Sequence, residues 1–489
     1  MTLRLSPYRA LRRLVTLTSL ASLLLSAVAP ETAAAQVTAA HAGGQGAFTH
    51  VRALQAIAEA NGGNRAAGTP GYDRSADYVT DRLRDAGYDV RFEEFTFPFF
   101  EERSPPQLLS GPAWTPAPES ELRTLFNSAA GNVTARLHAV DLGLSGRANP
   151  DAVPPASTSA CEVSDFDGFE RGAVALVRRG TCTFQTKVNL AAAAGAAGVV
   201  VMNEGTQGRM DAMPGRLNAS PIPVVGVSFA LGRRLASEAL DGPGVVRIEI
   251  EAASGTRTTR NVLAELGGPG ETVVVGAHLD SVPEGPGIND NASGSAAVLE
   301  VALELARATP GARPARRVRF AFWGAEELGL LGSRHHLDAL SEERRREIVL
   351  YINLDMVGSP NFGRFVQGAR AGDGPAAVAG RTLAGAFRSR GLAVEERSGR
   401  ETRGYGSDDA SFARLGIPTV GLHTGASERK TDTAAALFGG AAGQAYDPCY
   451  HRACDTAGNI DRVVLGQMTE ALSRAVYALT ATGGFAPAP

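Results

Sequence analysis

Histidine and carboxylate side chains follow three apolar stretches of the sequence, at the positions where these stretches end. They are His278 with Asp280 after the first stretch, Glu326 with Glu327 after the second, and Asp355 after the third. An unpaired carboxylate at the end of a buried strand is costly to remove from water, and a bound divalent cation offsets that cost. Zinc accepts both imidazole nitrogens and carboxylate oxygens as ligands. These residue types at these positions therefore indicate a metal site.

Two further candidate ligands lie outside the three stretches. A glycine-rich loop between the first two stretches contains Asp290, and His451 lies near the C-terminus. Two histidines with four carboxylates are enough for two metal ions, with one carboxylate bridging them at ~3.5–4 Å and an open position left for water. Adjacent side chains diverge, so Glu326 and Glu327 are not expected to bind the same ion. One of them would ligate, and the other would be free to act as a base.

The stretches that carry these residues belong to an alternating pattern of strands and helices. From about residue 261 onward the predicted elements are strand 272–277, helix 293–308, strand 317–323, helix 328–340 and strand 349–354. Such alternation is typical of an α/β fold whose sheet is covered on both faces. In these folds functional groups collect at the carboxyl ends of the strands. We therefore predict an α/β fold with a mixed, mainly parallel β-sheet flanked by helices on both faces.

The composition excludes several classes of protein. The chain has 489 residues, of which 44% are hydrophobic and 20% are charged, and its formal net charge is −3. This length suggests two or three domains with a sizeable core. Glycine has no fixed period and the apolar content is ordinary, which excludes collagen-like and disordered chains. The longest basic tract is only Arg344-Arg345-Arg346, so we expect no nucleic-acid partner.

Residues 1–35 have the features of an export signal. Several arginines precede an apolar segment over residues 14–29, and Ala33-Ala34-Ala35 offers small residues for signal peptidase. The apolar segment is short for a membrane span, although an uncleaved anchor is the alternative interpretation. No later stretch approaches ~18 uninterrupted apolar residues. We expect a secreted protein, extracellular or periplasmic, with no stable membrane span after signal removal.

Export changes the interpretation of the four cysteines, because disulfides persist outside the cytoplasm. Four cysteines allow three connectivities. Pairing of neighbours along the sequence gives Cys161–Cys182 and Cys449–Cys454. A cysteine-ligated zinc site is the alternative, but the chain has no CxxC spacing. The sequence favours two disulfides.

The segment around the first cysteine pair resembles a protease-associated (PA) domain. The resemblance rests on Cys161, on ALVRRGTCTF at residues 175–184, and on the alanine- and glycine-rich residues 191–201. It implies a small β-rich module, inserted in or beside an exported protease, with a role in substrate access or protein interaction. An unrelated β-rich insert is the alternative.

Five ordered motifs resemble peptidase family M28, and most closely its exported bacterial double-zinc aminopeptidases. The motifs are AHLDSV at 277–282, GPGINDN at 285–291, FWGAEELGLLGS at 322–333, NLDM at 353–356 and CYH at 449–451. The resemblance implies a zinc-dependent exopeptidase of the zinc-peptidase fold, interrupted by the PA insert. The predicted division is a signal peptide at 1–35, the first part of the peptidase domain at 36–125, the PA insert at 126–252 and the main part of the peptidase domain at 253–485.

The resemblance implies a set of metal ligands. They are His278, Asp290, Glu327, Asp355 and His451. Asp290 would bridge two zinc ions. His278 and Asp355 would complete one site, and Glu327 and His451 would complete the other.

The resemblance also implies three catalytic residues. Glu326 would be the general base. Tyr450 would help to stabilise the tetrahedral oxyanion, and Asp280 would orient His278. The peptide bond after the bridging carboxylate is expected to be cis, as it often is in the family.

The predicted substrate-binding residues are Asp355, Glu326, Arg403, Asp408 and His423. The chain departs from the family at two positions on the substrate side, Gly406 and His423. Asp355 and Glu326 would hold the free amine of the substrate. Gly406 stands where close relatives have an arginine, for which Arg403 is a substitute. His423 stands where they have an aromatic residue.

The implied activity is the hydrolysis of N-terminal residues from peptides that have a free N-terminus. We expect a monomer with two Zn²⁺ per chain; a Ca²⁺ ion is left open, and cobalt or manganese could replace zinc. The alternatives are an M28 carboxypeptidase with a cationic site for the substrate carboxylate, a glutaminyl cyclase with a single zinc, and a non-catalytic receptor-like M28 protein. His335 and His336 are expected on the surface rather than among the ligands.

Overall fold

The computed structural model of the protein describes residues 44–111, 113–144, 157–206, 209–213, 215–241, 244–308, 314–368, 372–398 and 406–481. The strands are β1 Asp89–Glu102, β2 Gln107–Ser110, β3 Thr115–Pro116, β4 Leu122–Thr124, β5 Gly131–Ala139, β6 Val174–Arg178, β7 Gly198–Met202, β8 Val224–Val227, β9 Val245–Ile250, β10 Ala252–Leu266, β11 Thr272–His278, β12 Arg317–Trp323, β13 Ile348–Leu354, β14 Phe365–Gln367, β15 Glu395–Arg397 and β16 Thr419–His423. The helices are α1 Gly44–Ala60, α2 Pro70–Asp85, α3 Phe184–Ala194, α4 Phe229–Asp241, α5 Gly294–Ala308, α6 Leu331–Ala339, α7 Glu342–Glu347, α8 Pro375–Arg388, α9 Asp409–Arg414, α10 Asp432–Phe438 and α11 Arg462–Ala481. The predicted signal peptide and Arg403 lie outside the described residues.

The larger part of the protein is built on a mixed sheet with the strand order β1-β10-β12-β11-β13-β16-β14-β15. Its centre, β12-β11-β13-β16, is entirely parallel. The strands β1 and β10 add an antiparallel edge. This arrangement confirms the predicted mixed α/β sheet.

Helices cover both faces of this sheet. On one face, α1, α2, α5, α8 and α11 contribute to the largest apolar core, which includes Val273 and Val275 of β11. On the other face, α6 and α9 pack against Val274 of the same strand. A strand that is buried on both faces must be apolar throughout, which is why β11 reads as a continuous apolar run.

A second sheet, with the order β3-β2-β9-β5-β6-β7-β8-β4, forms a separate unit. Its strands come from residues 107–250, and α3 and α4 pack against it in two apolar cores. The predicted insert begins at residue 126, whereas β2 at 107–110 and β4 at 122–124 already pair in this sheet. The exact division into domains stays a prediction.

The two units are joined by β1 and β10, which pair antiparallel from Asp89–Glu265 to Glu102–Ala252. The chain therefore leaves the first sheet along β1 and returns to it along β10. Among the described residues, no helix has both the length and the apolar character needed to cross a membrane.

Candidate metal centre

The parallel centre of the first sheet brings several of the predicted residues to one edge. β11 ends at His278, the turn after β12 contains Glu326 and Glu327, and Asp355 follows β13 directly. Because β11 lies between β12 and β13 and all three strands are parallel, their carboxyl ends meet. The topology thus places these four side chains at the same edge.

Asp290 reaches this edge from the loop between β11 and α5. The turn before it requires Gly287, which has a φ of +61°. A Cβ atom on Gly287 would lie 2.4 Å from the carbonyl oxygen of Asp290 and 2.4 Å from the Cβ of Ser281, so no larger residue fits here. The peptide bond Asp290–Asn291 is cis, as predicted.

The carboxylate of Asp290 lies between two histidines. Its Oδ1 is 3.2 Å from Nε2 of His278, and its Oδ2 is 3.1 Å from Nε2 of His451. Nε2 of His278 is also 3.7 Å from Oδ1 of Asp355, and Nε2 of His451 is 3.1 Å from Oε2 of Glu327. Both histidines thus share Asp290. His451 also faces Glu327, and His278 also faces Asp355 and, at 3.9 Å, Oε2 of Glu326.

The donor atoms fit a metal centre. One ligand atom each from His278, Asp290 and Glu327 lie within 4.8 Å of one another, and so do those of His278, Glu326 and Asp355. Oε1 of Glu327 is buried and has no hydrogen-bond partner among the described residues. Such an oxygen is costly unless a cation binds it. The mixture of imidazole and carboxylate donors is one that zinc accepts.

Burial and mutual repulsion raise the pKa values of the two adjacent glutamates in this cluster. Burial, with the charges of Asp408 and Asp355, raises the pKa of Glu326 well above its ordinary range despite the opposing effect of His278. Burial and the neighbouring Asp290 raise the pKa of Glu327 to about 7. Carboxylates crowded in this way favour protons or metal cations as counter-charges.

Asp280 lies behind the donor atoms and connects two of the strand ends. Its carboxylate is fully buried and accepts the backbone N–H groups of Glu326 at 3.1 Å and Glu327 at 3.3 Å. Its Oδ1 is 3.7 Å from Nδ1 of His278, which is also 3.1 Å from the carbonyl oxygen of Asp280. This residue is therefore in a position to orient both the histidine and the adjacent glutamates.

The loop that carries Tyr450 and His451 is closed by a disulfide between Cys449 and Cys454. The other disulfide joins Cys161 and Cys182 in the second unit, so the cysteines pair as predicted. The ring of Tyr450 stacks on that of His451, with centroids 3.9 Å apart. The disulfide loop thus presents both side chains together.

A cleft of about 510 Å³ opens over these residues. Of the predicted substrate-binding residues, Asp355, Glu326 and His423 line it, and Nδ1 of His423 lies 2.7 Å from the carbonyl oxygen of Asp355. Asp408 is fully buried and does not line the described part of the cleft. Burial raises the pKa of Asp408 to about 7, because its carboxyl group is removed from water.

Several residues near the site have no counterpart in the sequence prediction. The cleft is also lined by Met356, Gln367, Arg397 and Glu428. Arg65 is fully buried beside the loop of Asp290, although its sequence context suggests only a polar turn. The only sequence feature that points to Arg65 is that it is a single arginine at the end of a glycine-rich turn.

The expected surface position of His336 is wrong. The side chain is buried, with Nδ1 2.9 Å from the carboxylate of Glu93 and Nε2 3.0 Å from Nη1 of Arg319. Strand β1 covers this side of α6, and Glu93 of β1 lies within hydrogen-bond distance of His336. His335 is partly exposed and stacks on Phe95 with ring centroids 5.0 Å apart.

Comparison with known sequences identifies two families. Residues 261–476 match peptidase family M28, and residues 148–235 match the PA domain. An aminopeptidase of Pseudomonas aeruginosa is 42% identical over 438 residues, which cover 86% of this chain and 78% of that protein. The probable lipoprotein aminopeptidase LpqL of Mycobacterium tuberculosis is 37% identical over 439 residues, which cover 86% of this chain and 81% of that protein.

Solved structures show the same relationship. An aminopeptidase from Aneurinibacillus sp. strain AM-1 has a TM-score of 0.68 at 25% identity, covering 93% of this chain and 98% of that chain. BSAP, a zinc aminopeptidase from Bacillus subtilis, has a TM-score of 0.61 at 26% identity, covering 89% of this chain and 95% of that chain. The motifs, the fold and these relatives agree: the chain belongs to peptidase family M28 and carries a PA domain.

Proposed function

We propose that the protein is an exported aminopeptidase that removes N-terminal residues from peptides with two zinc ions and a glutamate base. The observation that carries this proposal is the position of Asp290, whose two oxygens face two different histidines. A carboxylate in this position can bridge two ions. The similarity to named aminopeptidases supports the choice of reaction.

The family resemblance and the distances between the side chains support one assignment of the residues that would hold the ions. Asp290 would bind both ions, with His278 and Asp355 on one side and Glu327 and His451 on the other. When bound, zinc polarises the scissile carbonyl group and lowers the pKa of a water molecule at the site. Calcium has no assigned position among these residues.

Glu326 would act as the general base. It is buried, lines the cleft and lies next to the proposed ligand Glu327, while its own Oε2 is 3.9 Å from Nε2 of His278. In the reaction, its carboxylate takes a proton from the attacking water and delivers it to the leaving amine. Its backbone N–H is held by Asp280, which fixes the turn from which the side chain extends.

Tyr450 would donate a hydrogen bond to the oxyanion of the tetrahedral intermediate. It lines the same cleft. Burial and the nearby carboxylates, first among them Asp290, raise the pKa of its hydroxyl far above the ordinary range. The hydroxyl therefore stays protonated at neutral pH and is able to donate.

The carboxylates around Asp355 and Glu326 would hold the free amine of the substrate, which makes the enzyme an exopeptidase acting at the N-terminus. A carboxypeptidase would need an unbalanced cation for the substrate carboxylate. Arg397 lines the described cleft, but its Nε donates a hydrogen bond to Glu395 at 2.8 Å. Glu428 lines the same cleft. Arg397 thus already has a carboxylate partner, and the other charged side chains that line the described cleft, histidines aside, are carboxylates, which favours binding of a substrate amine.

Export is supported by the predicted signal peptide and by the two disulfides, which persist in extracellular or periplasmic compartments. The substrates we propose are peptides met in that compartment.

The proposed function is tested by zinc analysis together with hydrolysis of aminoacyl-p-nitroanilides. We expect two zinc ions per chain, hydrolysis that stops with a chelator and returns with zinc, and no hydrolysis of N-acetylated peptides. Hydrolysis of N-acetylated peptides from their C-terminus would instead identify a carboxypeptidase. Release of ammonia from N-terminal glutamine with one bound zinc would identify a glutaminyl cyclase. Two bound zinc ions without any turnover would contradict an enzymatic role.

Replacing Tyr450 by Phe is expected to lower kcat by about 100-fold, because it removes one donor to the oxyanion. Zinc content should stay unchanged, since the tyrosine is not a proposed ligand. The measurement is steady-state hydrolysis of leucyl-p-nitroanilide. Tyr477→Phe serves as the matched control, because this hydroxyl donates to the carbonyl oxygen of Glu304 on α5. Equal kcat values for the two variants would remove Tyr450 from the mechanism.

A further inference from the structure

Arg65 binds the segment between two of the proposed ligands, His278 and Asp290. Its guanidinium is fully buried and donates hydrogen bonds to the carbonyl oxygens of Leu279, Pro286 at 3.0 Å and Gly287 at 2.5 Å. Its backbone N–H donates to Oγ of Ser281 at 2.9 Å, and its carbonyl oxygen accepts the N–H of Ser281 at 3.3 Å. One residue of the turn between α1 and α2 thus binds the segment 279–287 five times.

Asp455 binds the residues that directly follow this segment, Ile288 to Asp290. Its carboxylate is fully buried and accepts the backbone N–H groups of Asn289 at 2.8 Å and Asp290 at 3.0 Å. Its carbonyl oxygen accepts the N–H of Ile288 at 3.1 Å. Asp455 directly follows the disulfide loop that carries His451. It therefore connects the backbones of two proposed ligands, Asp290 and His451.

Together these contacts leave little freedom to the backbone of residues 286–290. The carbonyl groups of residues 286 and 287 point to a cation, and the N–H groups of residues 289 and 290 point to an anion. Hydrogen bonds to charged groups are shorter and stronger than those between neutral groups. This fixed backbone carries Asp290, whose two oxygens face His278 and His451.

We propose that Arg65 and Asp455 are positioning residues that set the metal affinity of the site by clamping the loop of Asp290 between them. The proposal rests on the proposed function, since it presumes that Asp290 binds metal. Neither residue lines the described cleft, so neither is expected to contact the substrate.

The alternative is a purely structural role, in which the two residues stabilise the fold without affecting the metals. Matched controls separate the two. Arg178 is a fully buried arginine of the second unit whose guanidinium donates to the carbonyl oxygens of Leu142 and Glu204. Asp461 accepts the backbone N–H groups of Val463 and Val464 at the start of α11. Arg178→Lys therefore removes similar hydrogen bonds within the second unit, and Asp461→Asn removes similar hydrogen bonds outside the clamped loop.

The experiment compares Arg65→Lys and Asp455→Asn with these controls in the full chain. Zinc affinity is measured by competition with a chromophoric chelator, metal geometry by the visible spectrum of the Co²⁺-loaded protein, and stability by thermal unfolding. We expect Arg65→Lys and Asp455→Asn to weaken zinc binding by about 10- to 100-fold and to change the Co²⁺ spectrum. Both controls should keep the zinc affinity and the spectrum of the unmodified protein, whatever their melting temperatures.

A lowered melting temperature with unchanged zinc affinity and an unchanged Co²⁺ spectrum would overturn the clamp and leave a structural role. If Arg65→Lys does not fold, Asp455→Asn decides the question, because it keeps the size of the side chain and one acceptor oxygen. Failure of the unmodified protein to bind zinc would instead contradict the proposed function. The two failures are therefore distinguishable.

Discussion

Glu326→Gln is expected to lower kcat/KM by about 100- to 10,000-fold while the protein keeps both zinc ions, because the amide cannot accept the proton of the attacking water. This loss corresponds to about 2.7 to 5.4 kcal/mol of transition-state stabilisation. The substitution keeps the size of the side chain and the backbone N–H that Asp280 accepts. The measurements are steady-state hydrolysis of leucyl-p-nitroanilide and zinc content by atomic absorption.

The adjacent glutamate provides the sharpest contrast. Glu327→Gln should lose zinc, because Glu327 lies 3.1 Å from His451 and has a buried oxygen without a hydrogen-bond partner among the described residues. The same substitution is thus expected to leave the zinc content unchanged at position 326 and to lower it at position 327. The donor atoms of Glu326 also lie within reach of His278 and Asp355. Zinc loss in Glu326→Gln would therefore identify Glu326 as a ligand and refute its role as the base.

Asp290→Asn is expected to weaken metal binding at both positions and to lower kcat/KM by at least about 1000-fold, since loss of the metals removes several kcal/mol of transition-state stabilisation. The two oxygens of Asp290 face His278 and His451 separately. An amide replaces one oxygen with an NH₂ group, which cannot ligate. One of the two proposed sites then loses its shared ligand, and the negative charge between the ions is lost.

Zinc titration and activity at increasing zinc concentrations test this prediction. Asp338→Asn, on the exposed surface of α6, is the control for the same change of charge and should behave like the unmodified protein. An Asp290→Asn variant that retains both ions and full activity would exclude Asp290 as the bridging ligand.

Much of the fold and of the site follows from the sequence. The apolar strands β11, β12 and β13 are recognisable because strands buried on both faces contain few polar residues. The polar residues at their ends are then conspicuous, and parallel pairing brings them together. The disulfide partners also lie close along the chain, so their pairing needs little knowledge of the fold.

The burial of individual polar side chains did not follow from the sequence. His336 lies beyond the glutamate pair on a helix that looks exposed, yet β1 covers it and supplies Glu93. Asp408 adjoins cleft residues in the sequence but lies fully buried behind them. In both cases the decisive neighbour comes from a distant segment, and no local pattern indicates it.

The sequence by itself determined which side chains reach the edge of the sheet, because strand periodicity and the order of elements are local properties. Only the tertiary structure decided how those side chains face one another. The two oxygens of Asp290 point to different histidines because Arg65, from the beginning of the described chain, and Asp455, from near its end, hold one loop between them. Contacts between such distant residues depend on the packing of the whole domain, which local sequence patterns do not encode.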